Sequence, residues 1–372
     1  EALSLGNKIA AAVGPIVPAL FRSKAAYKSP GVILFTSGTE GEPKGVVLSH
    51  ENVMANVEQV RAHIGLSPDT DKLFNPLPTF HCFGLTVGAI LPIVAGIQVM
   101  FHPSPLQPRE IVKRIRSNGS TILLATDTFI SQYARIGAAG DMDSIRLAVC
   151  GAERVKDETR ALVRRKFEIE ILEGYGATEA SPVVAANQWE NNKPGTVGQL
   201  MADMESKLVP VDGIADGGRL HIRGPNIMLG YLRPTRPGVL ERPDGGWHDT
   251  GDVVSIDAEG FIRIMGRVKR FAKIGGEMVS LAVVENCASA VWPDNLHAAV
   301  TMPDPRKGEQ IILLSDAEAC NREDIMAWAK NHGVPDFAVP RRVFHVKDIA
   351  VLGTGKIDYA AVKKQADDLM AI

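Results

Sequence analysis

The stretch Thr36-Ser37-Gly38-Thr39-Glu40-Gly41-Glu42-Pro43-Lys44-Gly45 packs hydroxyls, glycines and one lysine together. It directly follows the apolar run Val32-Ile33-Leu34-Phe35. Backbone N–H groups exposed by glycine, hydroxyl donors and a cation are the groups a polyphosphate needs. The G-x-x-x-x-G-K-[ST] spacing is absent and the lysine follows a proline, so the loop is not a Walker A. Gly/Ser/Thr clusters are often plain turns. Here the lysine, the hydroxyls and the preceding strand-like run favour phosphate.

A second cluster, Glu173-Gly174-Tyr175-Gly176-Ala177-Thr178-Glu179, follows the strand-like Ile169-Glu170-Ile171-Leu172. Tyr175 between glycines can stack on a purine, Thr178 can donate to a phosphoryl oxygen, and Glu179 is a hard oxygen ligand suited to Mg2+. Taken alone, the same residues read as a turn with a packed ring. Gly151-Ala152-Glu153 follows the apolar Leu147-Ala148-Val149-Cys150, at a strand end of the kind where open α/β sheets bind ligands. In Trp247-His248-Asp249-Thr250-Gly251-Asp252 the final carboxylate can accept both ribose hydroxyls, or the segment is simply an Asx turn. Arg267 offers a guanidinium to ribose or phosphate, or belongs to a solvated cluster with Lys269, Arg270 and Lys273. Lys356, in Leu352-Gly353-Thr354-Gly355-Lys356, sits on a glycine-rich turn that could swing into a distant site. By itself that segment reads as a surface loop. His81, in Pro78-Thr79-Phe80-His81-Cys82-Phe83, reads locally as a structural histidine. No Ser-His-Asp or Cys-His pairing and no metal-type histidine spacing accompanies it.

The elements that must position these groups run through 372 residues, enough for two or more domains. Hydrophobic content of 45% with 23% charge is that of a soluble globular protein. A formal net charge of −2, with no basic block, argues against nucleic acid and anionic lipid as partners. The longest apolar stretch, near Val87 to Phe101, is broken by Pro92 and Gln98 and is too short for a bilayer. Cys82, Cys150, Cys287 and Cys320 lack CxxC spacing, which fits a reducing compartment and offers no zinc site. The chain opens at Glu1, and the expectation is a piece of something longer.

Between about Pro30 and Gly198, β-like runs (Gly31–Phe35, Thr121–Ala125, Ile169–Leu172) alternate with helix-like ones (Glu51–Gly65, Asp157–Lys166). That alternation predicts layered α/β structure around a largely parallel sheet. From about Lys207 to Gly266, short β runs between Gly/Pro/Asp turns predict a small antiparallel sheet or barrel. A compact α+β module is expected after Arg267.

In this order and spacing, the motifs resemble the adenylate-forming superfamily of acyl-CoA synthetases, peptide-synthetase adenylation domains and luciferases. The resemblance runs from about Gly31 to Gln365. Three stretches, Pro78–Gly88, Gly224–Leu232 and Arg270–Ser280, resemble the synthetase half of bacterial bifunctional acyltransferase/acyl-(acyl carrier protein) synthetases. The resemblance implies an α/β fold: a layered large domain over 1–266 with a β-rich subdomain near 199–266, a hinge at 267–269, and a mobile C-terminal α+β domain over 270–372. It also implies that part of the large domain's N-terminal portion is missing. Thr36, Ser37, Gly38, Thr39 and Lys44 would hold the β/γ-phosphates of ATP. Tyr175 and Gly176 would face adenine, with Gly151, Ala152 and Glu153 opposite. Thr178 would contact the α-phosphate and Glu179 hold Mg2+. Asp252 and Arg267 would bind ribose, His81 would sit near the acyl carboxylate, and Lys356 would span that carboxylate and the α-phosphate. Lys269 matches the hinge position, and Gly275 with Gly276 matches a pantetheine tunnel. The implied activity joins a fatty acid through acyl-AMP to acyl carrier protein, in support of lysophospholipid reacylation through an acyltransferase half not present here. The implied location is the cytoplasm, at the inner face of a bacterial inner membrane. The alternatives are a fatty acyl-CoA synthetase and a catalytically inactive nucleotide-binding fragment.

Overall fold

The computed structural model describes residues 26–36, 43–351 and 357–371. Its centre is a seven-stranded sheet in the order Gln98–Phe101, Lys72–Asn75, Ile122–Ala125, Leu147–Cys150, Glu170–Gly176, Val183–Ala186, Gln199–Leu200. The first five strands pair in parallel and the last two pairings are antiparallel. Runs such as Ile122-Leu123-Leu124-Ala125 are buried throughout, as parallel strands covered on both faces must be. Alternation still divides them. Phe74, Leu123, Ala148 and Ile171 face one cluster, with the helices Pro108–Asn118, Asp127–Ile136 and Asp157–Phe167. Leu73, Leu124, Val149 and Leu172 face the other, with the helix His50–Ile64 and the π-helical segment Phe83–Ile90.

The ends of the helix His50–Ile64 are written locally. Ser49 Oγ accepts from Asn52 N at 3.0 Å while Asn52 Oδ1 accepts from Ser49 N at 2.9 Å, a reciprocal cap. Gly65, at φ +66°, closes the other end.

The run expected over Gly31–Phe35 does form a strand, Pro30–Thr36, but outside the parallel sheet. It pairs antiparallel with Lys44–Ser49, Thr36 opposite Lys44. A connection this short can only close a hairpin, because a parallel crossover needs about a dozen residues or more. Gly230–Arg233 and Arg236–Glu241 extend this second sheet. The predicted small antiparallel sheet is present as Glu205–Val209, Gly218–Arg223, His248–Ile256 and Ile262–Arg267.

The remaining sheet joins Glu277–Ser280, Phe271–Ile274, Gly308–Ser315 and His297–Asp304, with Arg342–His345 pairing parallel to Gly308–Ser315. Its two hydrophobic clusters draw their buried residues only from Ala272 onward. Among the described residues, no helix is long and apolar enough to cross a membrane.

Candidate active site

The strand Glu170–Gly176 outruns its parallel neighbour. Cys150 pairs with Glu173, and Gly174 to Gly176 then pair with the antiparallel strand Val183–Ala186. That overhang carries Tyr175 past the end of its parallel neighbour. A side chain at position 176 would meet Pro182 O at 2.6 Å, so only glycine fits beside the ring.

The Tyr175 hydroxyl donates to Asp252 Oδ2 at 2.5 Å. Asp252 is buried on the strand His248–Ile256, in register with Arg267 on the next strand. Arg267 Nε lies 3.2 Å from Asp252 Oδ1. The preceding turn is fixed by Thr250 Oγ1, which accepts from Asp252 N at 3.1 Å and donates to Leu220 O at 2.8 Å. Burial pushes the Asp252 carboxyl above its ordinary pKa, against the opposing pull of Arg267 and Tyr175. Burial and the Asp252 charge raise the Tyr175 phenol well above its ordinary value, so it stays a donor. Each Asp252 oxygen accepts one bond here and keeps lone-pair capacity for hydroxyls of a ligand.

Glu179 lies on the short 3-10 turn Thr178–Ala180. Its Oε1 accepts from the Tyr231 hydroxyl at 2.6 Å, and its carbonyl accepts from Met228 N at 2.8 Å. The ring of Tyr231 also stands under Lys44, whose Nζ is 5.1 Å from the ring centroid. His248 meets the same ring edge-on at 6.5 Å. Burial lowers the His248 pKa, while Glu179, Asp249 and Asp252 pull it the other way. Lys44, Tyr231, Glu179, His248, Asp252, Tyr175 and Arg267 are thereby linked through one polar cluster. Thr178 Oγ1 is 3.5 Å from Cys82 Sγ.

Beside the cluster opens a hollow, partly open to solvent, lined by His81, Phe83, Val87, Gly151, Ala152, Tyr175 and Gly176 and by aliphatic side chains beyond them. Phe83 and Val87 supply its apolar wall. Glu153 turns elsewhere: its Oε2 accepts from Thr128 N at 3.0 Å and Thr128 Oγ1 at 2.9 Å, at the start of the helix Asp127–Ile136. Gly151 and Ala152 are left to form that wall.

Thr36 sits at the loop end of the hairpin, opposite Lys44. Ser37, Gly38, Thr39 and Lys356 lie outside the described residues. Lys269 is exposed on the short turn Val268–Arg270, directly after Arg267. Gly275 and Gly276 form a two-residue hairpin turn at φ +62° and +100°. Neither glycine is among the residues lining the hollow.

Two participants had no chemical signal in the sequence. Tyr231 lies within Gly224–Leu232 and His248 within Trp247–Asp252, but nothing in either pattern assigns that side chain a role. They reach the cluster because Tyr231 pairs with Val46 and His248 with Ile222. Among the described residues no group of three or more His, Cys, Asp or Glu could by itself hold a metal ion. One carboxylate beside a hydroxyl suits Mg2+, which takes few protein ligands when phosphates supply the rest.

The fold is that of the adenylate-forming enzymes. The chain superimposes on ATP-bound MatB from Rhodopseudomonas palustris with a TM-score of 0.82 at 24% identity, covering 93% of this chain and 70% of that one. It superimposes on O-succinylbenzoate coenzyme A synthetase (MenE) from Bacillus subtilis, in complex with ATP and magnesium ion, with a TM-score of 0.80 at 21% identity, covering 91% and 70%. The AMP-binding enzyme family model matches residues 14–232, more than half of the chain, and the chain belongs to that family. Among curated relatives, the mitochondrial medium-chain acyl-CoA ligase ACSF2 of Rattus norvegicus is 28% identical over 352 residues, 90% of this chain and 57% of that protein. The long-chain-fatty-acid–CoA ligase of Salmonella typhimurium is 28% identical over 341 residues, 87% and 59%. The chain thus spans less than two thirds of the length of these relatives.

Proposed function

We propose that this chain uses ATP to convert a carboxylic acid with an apolar tail into acyl-AMP, and then passes the acyl group to the thiol of a pantetheine arm. The observation that carries the reading is a shared wall. Tyr175 belongs to the polar cluster through Asp252 and lines the apolar hollow as well. A nucleotide held by the cluster would present its α-phosphate towards the mouth of an acyl pocket.

A carboxylate is a poor acyl donor because oxide would have to leave. Attack of its oxygen on the α-phosphorus forms the acyl–phosphate bond and releases pyrophosphate. Attack of the thiol on the acyl carbon, with loss of the thiol proton, then expels AMP. Tyr175, Asp252 and Arg267 orient the nucleoside. Lys44, carried beside Tyr231, places a cation near the phosphates, and Thr178 can donate to the α-phosphoryl oxygen. Mg2+, when bound at Glu179, would offset charge on the phosphates. By the resemblance, Lys356 completes the charge compensation from the C-terminal lobe, and that lobe turns about Lys269 between the two half-reactions. On this reading 1–266, 267–269 and 270–372 act as large domain, hinge and mobile domain.

The acceptor is acyl carrier protein or CoA, which deliver the same arm. The stretches Pro78–Gly88, Gly224–Leu232 and Arg270–Ser280 favour the carrier protein and a bifunctional context. The names of the curated relatives favour CoA. Rates with CoA and with holo-carrier protein, measured side by side, separate the two. The reading as a whole is tested by fatty-acid-dependent exchange of labelled pyrophosphate into ATP. Exchange is expected, whereas bound ATP without exchange would mean an inactive nucleotide-binding module.

A further inference from the structure

At one end of the hollow beside the polar cluster, a helix is tied to the strand that forms its wall. Its strand pair runs Gly176↔Val183, Tyr175↔Ala185, Gly174↔Ala186. Gly176 and Val183 lie at the phosphate side, next to Thr178, and Ala186 lies at the other. There the last turn of the helix His50–Ile64 is fastened to the strand. His63 Nε2 is 2.7 Å from Ala186 O, and Gln188 Nε2 is 3.3 Å from His63 Nδ1. A carbonyl only accepts, so Nε2 carries the proton, and Nδ1 accepts from the Gln188 amide. Desolvation lowers the His63 pKa and keeps this neutral arrangement.

In front of the tie stand Val60 and Ile64, one helical turn apart on one face, and Met201, whose N–H donates to Val184 O at 2.9 Å. Val60 and Met201 are each 2% exposed. From Val183 to Ala186 the strand advances about 10 Å, the reach of roughly eight extended methylenes. A longer chain would push Ile64 and Met201 aside and then meet the His63–Gln188 pair, whose hydrogen bonds it cannot replace.

We propose that Ile64 and Met201, backed by the His63–Ala186 tie, form an end stop that makes medium-length acyl chains, of about eight to ten carbons, the preferred substrates. This rests on the function proposed above and names the substrate class of the same site. The relatives' names do not decide it, since they include both medium-chain and long-chain ligases.

The test compares unbranched acids of rising length in two assays on the whole chain: pyrophosphate exchange, and calorimetric binding of non-hydrolysable acyl-adenylate analogues. Both should strengthen about fourfold per added carbon up to the stop and weaken beyond it. Met201→Ala and Ile64→Ala should move that break to chains longer by about two carbons or more. Ile64→Trp should move it to shorter ones. A wild-type profile that keeps rising through palmitate overturns the proposal, as does a break that no folded variant moves. If no acid supports exchange but analogue binding shows the break and its shift, the end stop stands and the catalytic reading falls. Should every variant fail to fold, as judged by circular dichroism, the position of the wild-type break decides.

Discussion

Tyr231→Phe deletes one hydroxyl and leaves the ring that carries Lys44 at 5.1 Å and meets His248 at 6.5 Å. What is lost is the 2.6 Å donation to Glu179 Oε1. A hydrogen bond to a charged group is worth about 1.5–3 kcal/mol. Glu179 is only half-buried, so water can replace part of it and the lower end applies. If Tyr231 aims Glu179 at a metal on the phosphates, kcat/KM for adenylation should fall about tenfold. The Mg2+ concentration giving half-maximal pyrophosphate exchange should rise. Stability should fall by no more than about 1.5 kcal/mol, since the ring and its packing remain. The assay is exchange across a Mg2+ titration, with Tm measured in parallel. A cycle with Glu179→Gln adds a second check, because residues sharing one bond are not additive. An unchanged Mg2+ dependence, or strictly additive effects in the cycle, would refute the positioning role and leave Tyr231 a packing residue.

Asp252→Asn separates binding from stability. Burial raises the folded-state pKa of Asp252 above its ordinary 3.8, so the native state binds this proton more tightly than the unfolded chain does. Stability from this group is therefore present at low pH and declines as pH climbs from about 3.8 through the raised value. The amide should raise Tm relative to wild type above that window and not below it, while weakening AMP binding measured by calorimetry. A Tm deficit that grows with pH would contradict the sign. Lys356→Ala should slow adenylation on the order of 10²–10³, as for loss of one key electrostatic group. Thiolysis of supplied acyl-AMP should be spared, and equal loss of both half-reactions would count against assigning this lysine to the first.

Local chemistry and tertiary arrangement contributed differently to this protein. The residue types of Tyr175, Glu179, Asp252 and Arg267 in their short motifs, the glycine that ends the helix-like run Glu51–Gly65 and the apolar strand runs are short-range features, and they could be read directly along the chain. Partners across the sheets could not. The run at Gly31–Phe35 has the composition of a parallel core strand, yet a short loop turns it into a hairpin. Glu153 stands beside the hollow-lining Ala152 in sequence but spends its carboxylate on Thr128. Tyr231 is 52 residues from the carboxylate it holds, and Tyr175 is 77 residues from Asp252. The far end of the hollow needs a helix, two strands and a histidine to meet. Backbone preference and capping are decided by neighbouring residues, whereas strand order and the direction of each side chain are decided by collective burial over the whole core. The sequence by itself therefore determined which chemistry was available, and only the tertiary structure decided which groups share a cavity.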